Sequence, residues 1–220
     1  MDYFLARLPI FKRLPSSTLE TLSQAFLLRK YGRGEVIFEA GSPPGCVYLL
    51  KSGLIKAVKY SPQDTAVIME IIVPGRLFGM IALMDQKSYP VSTLCIQDSE
   101  AYRIRAPDFD ELLKKHPDFS REVYSEIGSH LRHSQDLRAL AKEPADRRIS
   151  YILWLLSQSV GKELPIRRED VADMAATTQE TAIRVLVDLR KKGLIASRYK
   201  SINVLRPARL KAFSKQQQQS

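Results

Sequence analysis

The sequence predicts an α+β protein, with an antiparallel β-roll first, then a long helix, then a winged helix-turn-helix. Three observations predict this order. Short β-rich runs alternate with Gly and Pro turn residues between residues 30 and 104. One uninterrupted helical pattern covers residues 119–142. Two short amphipathic helices and two short strands then follow in residues 167–205. We therefore expect a β-roll domain at 1–118, a long helix at 119–143 and a helix-turn-helix domain at 144–220.

The N-terminal pattern predicts helix over residues 2–28, where Pro15 and the two serines after it form a helix-start signal. Turn residues then separate six β-rich runs, at 36–38, 47–50, 54–60, 67–73, 92–96 and 101–104. Many short strands at such spacing are typical of an antiparallel roll or sandwich.

Helical periodicity returns with a short helix that begins near Ala106 and ends before Pro117. In the long helix that follows, one set of residues recurs at alternating steps of four and three: Val123, Ile127, His130, Ser134, Leu137 and Ala141. This heptad seam predicts a dimerisation helix, and packing on its own domain is the alternative. Pro144 ends the helix, and another amphipathic helix is expected at 147–159.

Two short helices with a tight turn between them follow. The first has an apolar face of Val171, Met174 and Ala175, and the second has one of Ala182, Val185, Leu186 and Leu189. Thr177 and Glu180 have the spacing of a capping box at the start of the second helix. Gly193 follows cations in its last turn, which is a stop signal. Ala176 stands in the turn where glycine is usual, and a positive φ there costs about 1 kcal/mol.

The face opposite the apolar stripe carries polar side chains at the helix N-terminus, where a helix-turn-helix reads bases. The candidate DNA-binding residues are Thr178, Gln179, Glu180, Ile183 and Arg184, with Arg198 and Lys200 in a basic hairpin, or wing. A helical hairpin with a solvated outer face is the alternative for the helix pair alone.

The basic charge is concentrated at the C-terminus. Residues 144–220 hold 15 Lys and Arg against 7 Asp and Glu, which is +8 of the net +10. A basic third beside a nearly neutral remainder indicates a polyanionic partner.

The sequence lacks the signatures of membrane and secreted proteins, of disulfide-rich and metal-binding proteins, and of common enzymes. No apolar run approaches the roughly 20 residues of a membrane span, and no signal peptide is present, so we expect a cytoplasmic protein without membrane contact. Cys46 and Cys95 lie far apart, which predicts neither a disulfide framework nor a metal site. No catalytic triad, P-loop or paired-carboxylate pattern occurs, so an enzyme is not expected.

The order of elements resembles the Crp–Fnr superfamily of bacterial transcription regulators over nearly the whole chain. The markers are Gly34-Glu-Val-Ile-Phe-Glu-Ala-Gly41, Tyr48-Leu-Leu-Lys-Ser-Gly53, Gly75-Arg-Leu-Phe-Gly79, Arg147-Arg-Ile149 and Thr181-Ala-Ile-Arg-Val-Leu-Val-Asp-Leu189. The resemblance implies a cyclic-nucleotide-binding-domain-like roll and a homodimer on near-palindromic double-stranded DNA that contacts RNA polymerase. It also implies that Glu180 and Arg184 read a TGA-like core in each half-site, whereas Gln179, where the family has an arginine, reads adenine or no base.

The sequence departs from that family at the ligand positions. Cyclic-nucleotide-binding members carry a glutamate after the third marker and an Arg-Ser pair further on. Here Met80 follows Gly79, and the later region reads Ser88-Tyr-Pro-Val-Ser92. A buried phosphate without an arginine would remain unpaired, so cyclic AMP is not expected. The cysteine cluster of oxygen sensors and the β-roll histidine of carbon monoxide sensors are also missing.

With those three sensor classes set aside, the sequence resembles the nitric-oxide-responsive branch of the superfamily, which implies a role in nitrosative stress. Some members of that branch bind haem, for which His130 and His133 are the candidates here; histidines packed along a helix are the alternative. The full set of ligand or sensor candidates is Gly79, Met80, Tyr89, His130, His133 and Ser134. No confident metal site is expected.

These observations predict a sequence-specific DNA-binding transcription regulator that couples a signal at the β-roll and long helix to promoter binding. The alternative is a ligand-binding β-roll regulatory module whose C-terminal domain binds protein rather than DNA.

Overall fold

A computed structural model describes residues 3–12, 14–60, 66–140, 142–198 and 200–215. The chain forms two compact units. The first comprises Met1–Lys59 and Ile71–Ser134, and the second comprises Tyr60–Glu70 and Gln135–Ser220. The expected boundaries at 118/119 and 143/144 stay predictions.

The N-terminal helical prediction was wrong in one respect. Two short helices form, α1 (Tyr3–Arg7) and α2 (Ser16–Ala25), but Leu27 and Leu28 belong to a strand, β1 (Leu27–Tyr31). Strand β1 pairs antiparallel with β8 (Ser99–Arg105). Tertiary pairing therefore overrides the local apolar pattern that continues out of α2.

Two four-stranded sheets form the roll. The remaining strands are β2 (Val36–Phe38), β3 (Cys46–Ser52), β4 (Ile55–Tyr60), β5 (Ala66–Ile72), β6 (Leu77–Phe78) and β7 (Ser92–Cys95). One sheet has the order β1-β8-β3-β6 and the other β2-β7-β4-β5, with a five-residue helix, α3 (Met80–Met84), after β6. The predicted antiparallel roll is confirmed, because all six β-rich runs form strands.

Two apolar clusters fill the first unit. One joins the N-terminal helices to α4 (Ala106–Lys115) and the start of α5 (Pro117–Leu140), and the rings of Phe11 and Phe119 stack in it at 6.0 Å. The other is aromatic and includes Phe38, Tyr48 and Phe78, which belong to different strands. Full burial of each such ring contributes roughly 1.5–3 kcal/mol.

The register of the α5 seam was wrong in its first half. Val123 is completely buried in the core of the first unit, and Ile127 packs against the same core. Among the described side chains of α5, the large apolar ones that are exposed are instead Tyr124 and Leu131, at 61% and 60% exposure. A heptad pattern marks an apolar face without showing what covers it, and here the β-roll domain covers it. The side chains of Ser134, Leu137 and Ala141 lie outside the described residues.

The second unit contains the predicted winged helix-turn-helix. Its elements are α6 (Ala145–Ser159), β9 (Glu163–Leu164), α7 (Arg168–Met174), α8 (Gln179–Lys191), β10 (Ile195–Arg198), β11 (Ser201–Val204) and α9 (Pro207–Lys215). Helix α8 packs against α6, α7 and β10. The sequence did not predict β9, a two-residue strand that adds to the wing in the order β10-β11-β9. Within the described ranges, no helix combines the length and apolar character needed to cross a bilayer.

We expect Gly53→Ala to destabilise the protein more than Gly41→Ala. Both glycines have a positive φ, +96° and +84°, so either substitution introduces backbone strain of about 1–2 kcal/mol. A Cβ atom on Gly53 would also lie 2.7 Å from the Ser99 Cα, whereas one on Gly41 meets no described atom within 4 Å. Overpacking then adds about 1–3 kcal/mol at Gly53. The free energy of unfolding, measured in urea, checks this; equal losses would contradict it.

Candidate nucleic-acid interface and sensor residues

Helix α8 begins one residue later than the sequence predicted. Its N-cap is Thr178, whose hydroxyl oxygen accepts a hydrogen bond from the Thr181 backbone N–H at 3.2 Å. The same hydroxyl donates to the Thr181 side chain at 3.0 Å. The capping box assigned to Thr177 and Glu180 was therefore wrong. A capping box needs a Glu or Gln three positions after the N-cap, and the residue three positions after Thr178 is Thr181.

The turn before α8 is closed by two backbone hydrogen bonds. Thr177 N–H donates to Ala172 O at 3.0 Å, and Ala176 N–H donates to Asp173 O at 3.1 Å. This is the pattern that ends helices at a left-handed residue, usually glycine. Ala176 occupies that position with a φ of +46°, as the sequence suggested, so the turn carries strain of about 1 kcal/mol.

The candidate reading residues share one exposed face of α8. Its opposite side buries Ala182, Val185, Leu186 and Leu189, which leaves Gln179, Glu180, Ile183 and Arg184 exposed. Spacings of one, four and five residues from Gln179 place these four side chains together at the N-terminal half of the helix. This geometry suits insertion of the helix end into a groove. Thr178 lies beside them, but its hydroxyl hydrogen is already donated to the Thr181 hydroxyl.

The wing is a short antiparallel hairpin. Strands β10 and β11 pair from Ile195↔Val204 to Arg198↔Ser201, so Arg198 lies at the last pair before the turn. Arg198 and Lys200 are both exposed at this tip. Tyr199, between them, lies outside the described residues. The hairpin therefore places two cations side by side at the end of the domain.

Of the three sensor candidates in the β-roll, the structure places Gly79 and Tyr89 together and Met80 elsewhere. A Cβ atom added to Gly79 would lie 3.3 Å from the Tyr89 ring and 3.4 Å from the Phe38 ring. Tyr89 is buried and stacks on Phe38 at 3.9 Å between ring centroids. Met80 is buried in the other cluster, with the N-terminal helices. Phe38, which sequence reasoning did not select, is the residue that fills the space beside Tyr89.

Tyr89 also has a fixed hydrogen-bonding role. Its hydroxyl donates to Cys46 O at 2.5 Å and accepts from Cys46 N–H at 3.1 Å. Burial raises the pKa of Tyr89, so this hydroxyl stays protonated at neutral pH. The region in which cyclic-nucleotide-binding relatives carry an Arg-Ser pair therefore supplies here a neutral, stacked and hydrogen-bonded ring.

The remaining sensor candidates lie on α5. The Nε2 atom of His130 is buried 3.7 Å from Glu126 Oε1, and Arg76 reaches the same oxygen at 2.9 Å. His130 therefore lies near a carboxylate and a guanidinium, and its role as a haem ligand stays a prediction. The side chains of His133 and Ser134 lie outside the described residues.

Both cysteines are free thiols, Cys46 half-buried and Cys95 buried. Cys95 is buried, and burial raises the pKa of its thiol to about 11, which disfavours the reactive thiolate. Across the part of the chain that the structure describes, no three His, Cys, Asp or Glu side chains converge as a metal-binding group.

Comparison with known families matches both units. The profile of the cyclic nucleotide-binding domain matches residues 28–116, and that of the Crp-like helix-turn-helix domain matches residues 146–213. Together the two profiles cover most of the chain, in the order found here.

Individual relatives agree with this assignment. The chain is 28% identical over 189 residues to the cyclic AMP receptor protein of Thermus thermophilus, covering 85% of this chain and 88% of that protein. It is 27% identical over 203 residues to the transcriptional activator protein Anr of Pseudomonas aeruginosa, covering 86% and 83%. The fold is similar to that of FixK2 from Bradyrhizobium japonicum, with a TM-score of 0.76 and 21% identity over 84% of this chain and 95% of that one.

We expect Thr178→Ala to lower the free energy of unfolding by about 1 kcal/mol, because it removes the acceptor for the Thr181 N–H. Thr177→Ala is the matched control, since Thr177 lies outside the cap and its replacement should cost less than about 0.5 kcal/mol. Urea unfolding monitored by circular dichroism compares the two. A larger loss for Thr177→Ala would return the cap to the position that the sequence suggested.

Proposed function

Because the chain belongs to the Crp–Fnr family of DNA-binding transcription regulators, we propose that it binds an inverted-repeat promoter site as a homodimer, with α8 as the reading helix. The observation that carries this proposal is the exposed face of Gln179, Glu180, Ile183 and Arg184 at the start of α8. The opposite face of the same helix is buried, so only this side is free to meet a base pair.

Each reading side chain has a chemical partner among the base edges. Glu180 accepts from the N4 amino group of cytosine, and Arg184 donates two hydrogen bonds to guanine O6 and N7. Gln179 carries an amide that suits adenine. These assignments support a TGA-like core in each half-site. Arg198 and Lys200, at the wing tip, contribute contacts to phosphates, which add affinity without sequence preference.

The surface that supports a dimer is a different face of α5 from the one that the heptad pattern indicated. Tyr124 and Leu131 are exposed and seven residues apart, and Gly128 lies between them on the same side. Two apolar residues separated by two turns suit packing against the same helix of a second copy. Twofold symmetry of the dimer would then match the inverted repeat.

The identity of the signal that activates the protein is argued mainly from the sequence. One relative is named for binding cyclic AMP. In this chain, Met80 and Tyr89 lie at the two ligand positions as buried neutral side chains. We therefore propose that cyclic AMP does not activate this protein. The nitric-oxide-responsive assignment, the contact with RNA polymerase and a cytoplasmic location stay predictions that the family resemblance supports.

Arg184→Ala should weaken binding to the preferred site by about 1–3 kcal/mol and relax the preference at one guanine in each half-site. Glu180→Ala should relax the preference at the neighbouring cytosine. The purified protein would first select its sites from random DNA, and the variants would then be compared on sites with single base changes.

The matched control for Arg184 is Arg190→Ala, which removes the same charge from the last turn of α8. It should keep the wild-type base preference, because its position lies away from the helix end that enters the groove. Selection that returns no inverted repeat would favour the alternative, a C-terminal domain that binds protein.

Leu131→Glu should shift the protein towards monomer, because it places a charge on the proposed dimer face. Leu27→Glu is the control, since Leu27 is also a highly exposed leucine, at 52%, but lies on strand β1. Sedimentation velocity over a range of protein concentrations measures the dimer dissociation constant. An unchanged constant in Leu131→Glu would contradict this choice of face.

A further inference from the structure

Arg148, in the first turn of α6, donates hydrogen bonds to the backbone of two segments, one just before α6 and one 27 and 28 residues further along the chain. Its Nε donates to Ala175 O at 2.8 Å, and its Nη2 donates to Ala176 O at 3.3 Å. Its Nη1 donates to Glu143 O at 2.5 Å. Ala175 and Ala176 form the turn between α7 and α8, whereas Glu143 lies in the segment just before α6. One planar guanidinium therefore joins the two segments within the second unit.

The two carbonyls of the turn that Arg148 binds are not the ones that accept the backbone hydrogen bonds closing the end of α7. The turn after α7 satisfies Ala172 O and Asp173 O through backbone N–H groups. Ala175 O and Ala176 O lie beyond those bonds, at the negative end of the helix. A cation with several donors in one plane satisfies both and also neutralises the partial charge. The strained φ of Ala176 makes this support more important, since the backbone bonds alone must otherwise hold an unfavourable conformation.

We infer that Arg148 is a positioning residue for DNA reading. It fixes the turn from which α8 starts, and it ties that turn to the segment that precedes α6. Ala176 is only three residues from Gln179, so a shift of the turn moves the reading face directly. The inference rests on the role proposed for α8, and it concerns a residue that need not contact DNA.

The neighbouring Arg147 provides a control within the same helix turn. Its Nη1 pairs with the Glu143 carboxylate at 2.6 Å, so it contacts the same segment through a side chain. Arg147→Met removes one positive charge next to Arg148 while the bonds to Ala175 O and Ala176 O remain. A difference between the two methionine variants therefore reports on the turn rather than on charge.

The test compares Arg148→Met, Arg148→Lys and Arg147→Met with the wild type. Dissociation constants for the selected site and for unrelated DNA are measured at several salt concentrations, and thermal unfolding is followed in parallel. Arg148→Met should lose about tenfold or more in the ratio of specific to non-specific affinity, in line with the loss of charge-assisted hydrogen bonds. The salt slope for unrelated DNA should not change, because no phosphate contact is removed.

Arg148→Lys should recover only part of this ratio, because an ammonium group lacks the planar arrangement of donors. Arg147→Met should stay within about twofold of the wild type, since the turn keeps its support. These two results, together with the loss in Arg148→Met, would support the positioning role.

Three outcomes would overturn the inference. The specificity ratio of Arg148→Met could remain at the wild-type value. Specific and non-specific affinity could instead fall in parallel with the melting temperature, which indicates a purely structural role. The salt slope could fall by about one, which indicates a phosphate contact. If the wild type itself preferred no DNA sequence, the proposed function would fail and this inference with it; wild-type selectivity beside an unaffected Arg148→Met would remove the inference alone.

Discussion

Burial of the apolar side of α8 is the constraint on which the reading surface depends. The helix packs against α6, α7 and β10 through Ala182, Val185, Leu186 and Leu189. Each buried aliphatic side chain contributes roughly 1.5–3 kcal/mol, so rotation of α8 about its axis would cost several of these contributions at once. The helical repeat then determines which residues remain outside. The packing of one side of the helix thus determines which residues are available for the proposed contacts with DNA.

The β-roll is matched by the cyclic nucleotide-binding profile, but its interior has a different chemistry at the ligand positions. Phe38 stacks on Tyr89, and the Tyr89 hydroxyl is held by the backbone of Cys46. These groups carry no positive charge, and the proposal that cyclic AMP does not activate this protein rests on the cost of burying a phosphate beside them. A match of the fold to this profile does not by itself identify a ligand, because a ligand must be argued from the site and not from the fold.

Helix α5 has two apolar faces with different roles. Val123 and Ile127 complete the core of the first unit, together with the stacked rings of Phe11 and Phe119. Tyr124 and Leu131 remain exposed on another side. Because the first face is needed for the stability of its own domain, the proposed dimer uses the other face. In the second unit, Arg148 also contacts two segments, since it donates to Ala175 O in the turn after α7 and to Glu143 O before α6.

The sequence by itself determined the fold class, all six β-rich runs, the long helix and the exposed reading face, because each follows from local periodicity and turn chemistry. It also suggested the left-handed backbone at Ala176. The tertiary structure decided what depends on distant partners. Strand pairing with β8 turned Leu27 and Leu28 into a strand, and the β-roll core covered Val123. The acceptors of Arg148 in the turn lie 27 and 28 residues further along the chain, so no spacing rule could reveal them. Local patterns specify which face of an element is apolar, whereas only the assembled fold specifies which neighbour buries it.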